Sequence, residues 1–276
     1  MKFISLISLL IPIICFSQEK EYSIIECIYD YRYVRDTTSK MGEDGSFISG
    51  NEYHIVKDSL LLQIGNKASR YYKYSTFYKD SLIQELGSLT GTGLKKSITG
   101  AEYIVYKDKT VGKIITTDEV AIFAFKVTEN MPEFAWEIKN ERKEVAGYKV
   151  FKAECSFRGR KWVAWFAPDL PISDGPWKFS GLPGLIMEVY DEMFHYRYGL
   201  VGIREVSREL SIPDVNYIET SLKEYYKTKR ISIEDLPSLL SSTSSRKQTY
   251  KDTDGNTIDP KLLIQKMKYD FPEIIK

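Results

Sequence analysis

From residue 101 to residue 206 the chain runs through one strand-like segment after another, with only short connections between them. EYIVYKD and TVGKIITTD flank a turn at Asp108-Lys109. AIFAFKVTE, EFAWEIK, GYKVFKAECSF, RKWVAWFAP, GLIMEVYD and FHYRYGLVGIREV follow. Parallel neighbours need a crossover of about a dozen residues or more, so strands joined this closely pair antiparallel. A meander of this length either curls into a barrel or leaves a curved sheet with one face to cover. The expected class is mainly β with some α: a curved antiparallel sheet or incomplete barrel with a few packing helices.

Upstream, residues 21–35 alternate. Ile25, Cys27, Tyr29, Tyr31 and Tyr33 point one way, and Glu26, Asp30 and Arg32 point the other with Ile24 and Ile28, which predicts a strand. Residues 36–51 are polar and glycine-containing and predict a loop. Residues 59–64 and 68–74 flank Gly65-Asn66 as a hairpin. A short helix over 75–86 and a loose loop over 87–98 are expected next. The last part, from about 207, is more helical and polar. Ser211-Ile212-Pro213-Asp214 reads as a helix start, followed by Val215, Ile218, Leu222 and Tyr226 at helical spacing. A serine-rich loop over 238–245 and a final helix from Asp259-Pro260 complete the reading.

Residues 1–17 have the form of an export signal: Met1-Lys2, an apolar run from Phe3 to Phe16, and small residues at Cys15 and Ser17. Cleavage after Ser17 leaves a single domain over 18–276 with no transmembrane segment. The expected location is the periplasm, with association to the outer membrane or secretion as alternatives. The whole chain has 39 basic and 38 acidic side chains, so no basic field is available to hold nucleic acid. Cys27 and Cys155 remain after cleavage, and two readings stay open for them, a disulfide or two buried thiols.

Residues 158–190 concentrate Trp162, Trp165 and Trp177 with proline and glycine. Gly175-Pro176 and Leu182-Pro183-Gly184 are turn signals. Gly181 and Gly184 permit positive φ or a close backbone approach, and Leu185-Ile186 starts a strand. Period two places Trp162 and Trp165 on opposite faces, one on the core and the other toward solvent, a helix layer or a ligand. Two uses of this block follow. It is a structural corner (Gly175, Pro176, Gly181, Leu182, Pro183, Gly184, Leu185, Ile186), or it is a binding surface of Trp162, Trp165, Trp177, Phe179, Leu182 and Pro183.

The hexapeptide Gly181-Leu182-Pro183-Gly184-Leu185-Ile186 resembles the signature of the GLPGLI family, exported proteins of Gram-negative bacteria without an established activity. The resemblance extends over residues 147–190, through Gly147-Tyr148-Lys149, the hairpin at Arg158-Gly159-Arg160, Trp162, Trp165, Pro171-Ile172 and Gly175-Pro176. Phe134-Ala135-Trp136 resembles the family's tryptophan-bearing strand. It implies export and a β-rich fold. Val150 stands where a cysteine often follows Gly-Tyr-Lys, so no cysteine role is carried over.

Chemistry leaves few marks. His54 and His195 lack metal-ligand spacing, so no metal residue is assigned. Ser180 lies outside any G-x-S-x-G, no phosphate-cradling glycine loop is present, and Asp169 and Asp174 read as turn formers. No catalytic residue or cofactor is assigned. The expected function is therefore a non-enzymatic binding or carrier protein of the cell envelope. It holds an apolar ligand or an envelope protein on its curved sheet, in an incomplete barrel similar in outline to that of the periplasmic lipoprotein carriers. The alternatives are an accessory protein of an outer-membrane transporter and a metal-handling periplasmic protein.

Overall fold

The computed structural model describes residues 20–35, 39–50, 52, 55–74, 101–120, 123–234, 250–251 and 257–258. The first long strand is β1 (Tyr22–Val34), followed by a small ribbon of β2 (Lys40–Met41) and β3 (Phe47–Ser49). Then come β4 (Ile55–Gly65), β5 (Ala68–Lys73), β6 (Ile104–Asp108), β7 (Lys113–Val120) and β8 (Phe123–Asn130). A second run is β9 (Glu137–Val145), β10 (Tyr148–Phe157), β11 (Arg160–Ala167), β12 (Leu185–Asp191) and β13 (Tyr196–Glu209). The chain continues through β14 (Ile218–Thr220), helix α1 (Leu222–Glu234) and a two-stranded pair, β15 (Tyr250–Lys251) with β16 (Thr257–Ile258).

One sheet takes twelve of these strands, in the order β14-β8-β7-β6-β5-β4-β1-β13-β12-β11-β10-β9. It is two antiparallel meanders joined by β1, which pairs with β4 on one side and β13 on the other. The β8–β9 connection shows why this sheet curls. In a flat sheet those strands would lie roughly 48 Å apart at the usual interstrand spacing. Residues 131–136 join them, and a link of that length reaches about 25 Å at most. The sheet is accordingly curved and its ends approach without closing.

Tight turns set the register. Val145 pairs with Tyr148 across Ala146 (φ 50°) and Gly147 (φ 81°), and Phe157 pairs with Arg160 across Arg158 (φ 46°) and Gly159 (φ 81°). Positive φ at both central residues is the two-residue geometry that matches strand twist. The two sheet edges differ. β9 alternates Glu137, Lys139, Glu141 and Lys143 along an exposed edge, which discourages further strand pairing. β8 is covered by β14, the one parallel partner in the sheet among the described residues.

The alternation read in β1 holds: Cys27 and Tyr29 enter the main core, and Ile28 packs with Leu61, Tyr72 and Ile104 on the other face. Cys27 and Cys155 are both buried and unpaired, so the thiol reading holds and the disulfide does not.

Three expectations need correction. The segment 36–51 is more than a loop, because β2 and β3 pair within it. Phe134-Ala135-Trp136 is not in a strand; β9 begins at Glu137. The Trp136 indole donates to Ser180 O (2.9 Å) and its backbone N–H to Phe134 O (2.9 Å), so this segment turns on itself and bonds to the corner instead of joining the ladder. The helix expected at Ser211 begins after Ser221. Glu224 N donates to Ser221 Oγ (3.2 Å), and Tyr225 packs with Val120, Phe125 and Val127. Ile218 belongs to β14. The expectations for 75–86, 87–98, 238–245 and the final helix lie outside the described residues.

Candidate functional site

Between β11 and β12, residues 168–184 form a shaped corner tethered by a buried cation from β6, while the corner's own buried Lys178 pairs with Glu129. Tyr103, Val105 and Lys107 alternate with Ile104 and Tyr106, so β6 sends Lys107 inward beside Val105. The Lys107 ammonium donates to Asp174 Oδ1, to Gly175 O (2.7 Å) and to Phe179 O (3.1 Å). Its three protons thus fix both ends of the stretch 174–179. Both side chains of the pair are 1% exposed. Lys109 lies against the other carboxylate oxygen of Asp174 at 3.1 Å. Burial opposes ionisation of Asp174, but the two lysines outweigh it and hold the carboxyl below its ordinary value. Burial lowers the Lys107 value, and Asp174 offsets only part of that.

Aromatic packing holds the rest of the corner. The Phe179 ring meets Trp162 (4.8 Å between centroids), Trp177 (5.1 Å) and Phe134 (5.4 Å). Trp177 sits in the left-handed region (φ 51°), which is strained for a bulky residue. Its nearly complete burial against Trp162 and Phe157 keeps it there.

The three glycines of the corner serve different needs. Gly181 has φ 91°, and a Cβ there would make only ordinary contact with Trp136 at 3.8 Å. Gly184 has no positive φ, but a Cβ there would lie 2.3 Å from Ala167 O. At Gly175 a Cβ would meet the Ile186 side chain at 2.8 Å. Pro183 is exposed and Pro176 buried. Leu185 and Ile186 enter the core as β12 begins.

Of the residues proposed as a binding surface, the structure brings Trp162, Trp177, Phe179 and Leu182 together in the core, each at most 1% exposed. Trp165 leaves β11 toward a different environment. Its ring carries the Lys143 ammonium at 4.4 Å, and its N–H points to the Tyr190 hydroxyl at 3.5 Å. Trp165 is buried as well, so neither member of the 162/165 pair faces solvent.

A cleft of about 560 Å³ opens beside this corner. One wall is Met131, Pro132 and Phe134 from the β8–β9 link; the other is Ser173, Ser180 and Gly181 from the corner. Lys107, Lys109 and Asp174 also line it, with Gly112 and Glu133. Trp136 ties the two walls through Ser180 O. Sequence reasoning missed Lys107, Lys109, Met131 and Phe134. The signal for Lys107 was available, since it falls on the apolar side of the alternation through Val105. Asp174 was read only as a turn former.

A second cleft, of about 490 Å³, lies among Glu43, Lys143, Glu188 and Arg197. Its buried carboxylate, Glu188, is already held by Arg197 (2.8 Å) and Lys143 (2.6 Å). Among the described residues, no group of three or more His, Cys, Asp or Glu side chains converges as a metal site. No described helix is long and apolar enough to cross a membrane.

Residues 157–188 match a family described as "Protein of unknown function (Porph_ging)", in agreement with the GLPGLI-type resemblance of the same block. No curated protein matches this chain. Among solved structures, PNGF-II in its P21 form aligns over 76% of this chain with a TM-score of 0.50 and 11% identity. PNGF-II in its C2 form aligns over 76% with a TM-score of 0.51 and 12% identity. The chain spans about a third of the length of those structures, 34% and 33%, and the likeness is one of fold.

Proposed function

We propose that this chain is an exported binding protein of the cell envelope, one domain over 18–276 released by cleavage after Ser17, and that its ligand sits in the cleft beside the GLPGLI corner. The observation that supports this reading is the cleft itself. It pairs an apolar wall with a polar, charged floor, and its volume falls within the range usual for small-molecule sites. The main core packs side chains from both halves of the sheet against one another, so a ligand is accommodated beside that core and not within it. The buried aromatic rings of the corner serve the site by keeping its walls rigid, which lowers the ordering cost of binding. Binding without catalysis fits a site whose acid, Asp174, is committed to two lysines.

Native mass spectrometry of protein purified from its own envelope tests this reading. A bound small molecule is expected, lost in Ser173→Trp, which places a large ring in the cleft. A wild-type protein that carries no ligand, or a ligand retained in Ser173→Trp, overturns it.

A further inference from the structure

We infer that the cleft selects a small organic anion with an apolar body, the acid group resting on Lys109; this builds on the proposal that the cleft is the binding site. The floor carries two ammonium groups against one carboxylate. Lys107 spends its protons on Asp174, Gly175 O and Phe179 O and has nothing left to offer. Lys109 is different. It shares Asp174 from the outer side, remains 30% exposed, and lines the cleft. The surplus positive charge of the floor is therefore presented by Lys109. Glu133 is the acid at the rim, and it is exposed, where solvent and salt screen its charge.

The rest of the ligand is defined by the wall of Met131, Pro132 and Phe134. Phe134 is backed by Trp136 at 5.5 Å and by Phe179 at 5.4 Å, so this wall is formed before any ligand arrives. Two lining positions carry no side chain: a Cβ on Gly112, beside Met131, would meet nothing within 4 Å, and one on Gly181, in the corner, would meet only Trp136 at 3.8 Å. These two glycines leave width for a flat or branched apolar body. An uncharged apolar molecule would displace water from the Lys109 ammonium and leave it only the Asp174 carboxylate that it shares with Lys107, which disfavours it.

Two fluorescent probes that share a body separate these claims: 8-anilinonaphthalene-1-sulfonate, and N-phenyl-1-naphthylamine, which lacks the sulfonate. The anion should bind roughly tenfold tighter, the effect of one charge-assisted contact. Lys109→Met should abolish the difference, Lys109→Arg should keep it, and Ser173→Trp should weaken both probes. Equal affinities in the wild type, or an anion preference that survives Lys109→Met, overturn the charge selection. If both probes are still displaced by Ser173→Trp, the cleft remains the binding site. Binding of both probes that is indifferent to Ser173→Trp overturns the site and its selectivity together.

Discussion

Lys107 and Asp174 lie 67 residues apart in sequence and form an ion pair sealed from solvent, in which the lysine also holds the backbone of the loop that carries the acid. Removing one partner strands a buried charge. Asp174→Asn should destabilise the fold by about 3–5 kcal/mol. Lys109→Met, at the same carboxylate but closer to solvent, should cost no more than about 1 kcal/mol. Urea denaturation of the two variants checks the contrast; equal losses would mean that the buried pair does not anchor the corner.

The same pair predicts an acid-sensitive fold. The unfolded chain protonates Asp174 near its ordinary value of 3.8, and the folded chain only at a lower pH, because its carboxyl is held down. In that window the unfolded state binds more protons, so stability falls as pH drops. The Asp174 contribution is fully present above the ordinary carboxylate range and is lost as pH falls through the folded value. Thermal melts from pH 6 to 2 should show a shallower decline in Asp174→Asn than in the wild type.

Gly184→Ala should lower the melting temperature and Gly181→Ala should do so for a different reason. At 184 the new methyl meets the Ala167 carbonyl, a backbone atom that cannot rotate away. Overpacking of this kind costs about 1–3 kcal/mol. At 181 there is space, and the cost is that of φ 91°, so Gly181→Asn should be tolerated better than Gly181→Val. Differential scanning fluorimetry of the four variants distinguishes a clash from a conformational penalty.

Tryptophan emission should divide by position. Trp162, Trp165 and Trp177 are buried, and Trp136 is partly exposed where it bonds to Ser180. Iodide should quench a minor fraction of the signal, and Trp136→Phe should remove most of that fraction. Strong quenching that persists in Trp136→Phe would place one of the other three indoles at the surface.

Cys27 and Cys155 should both be silent toward a thiol reagent in the native protein and both react after unfolding. Burial pushes the Cys155 thiol up to about 12 and the Cys27 thiol higher still, so neither supplies thiolate near neutral pH. A native protein that yields no thiol even in denaturant would instead contain a disulfide.

Local pattern in the chain was enough for the antiparallel sheet, the long first strand, the hairpin at Arg158-Gly159 and the turn-rich corner. These follow from period-two alternation and from the backbone demands of glycine and proline, which act over a few residues. The helix was misplaced because a cap signal is local: Ser211 has one, but the helix forms after Ser221, where Tyr225 packs against β7 and β8. Trp165 shows the same limit. Its position on the opposite face from Trp162 follows from strand period, but its burial depends on Lys143 and Tyr190, which arrive from β9 and β12.

The candidate cleft was hidden for a stronger reason. Its walls come from residues 131–134 and 173–181, and its floor from 107 and 109, segments brought together only when the sheet curls. The alternation through Val105 by itself determined that Lys107 points inward. Only the tertiary structure decided that the carboxylate waiting there is Asp174, since a buried charge is satisfied by whatever the fold carries to it in space.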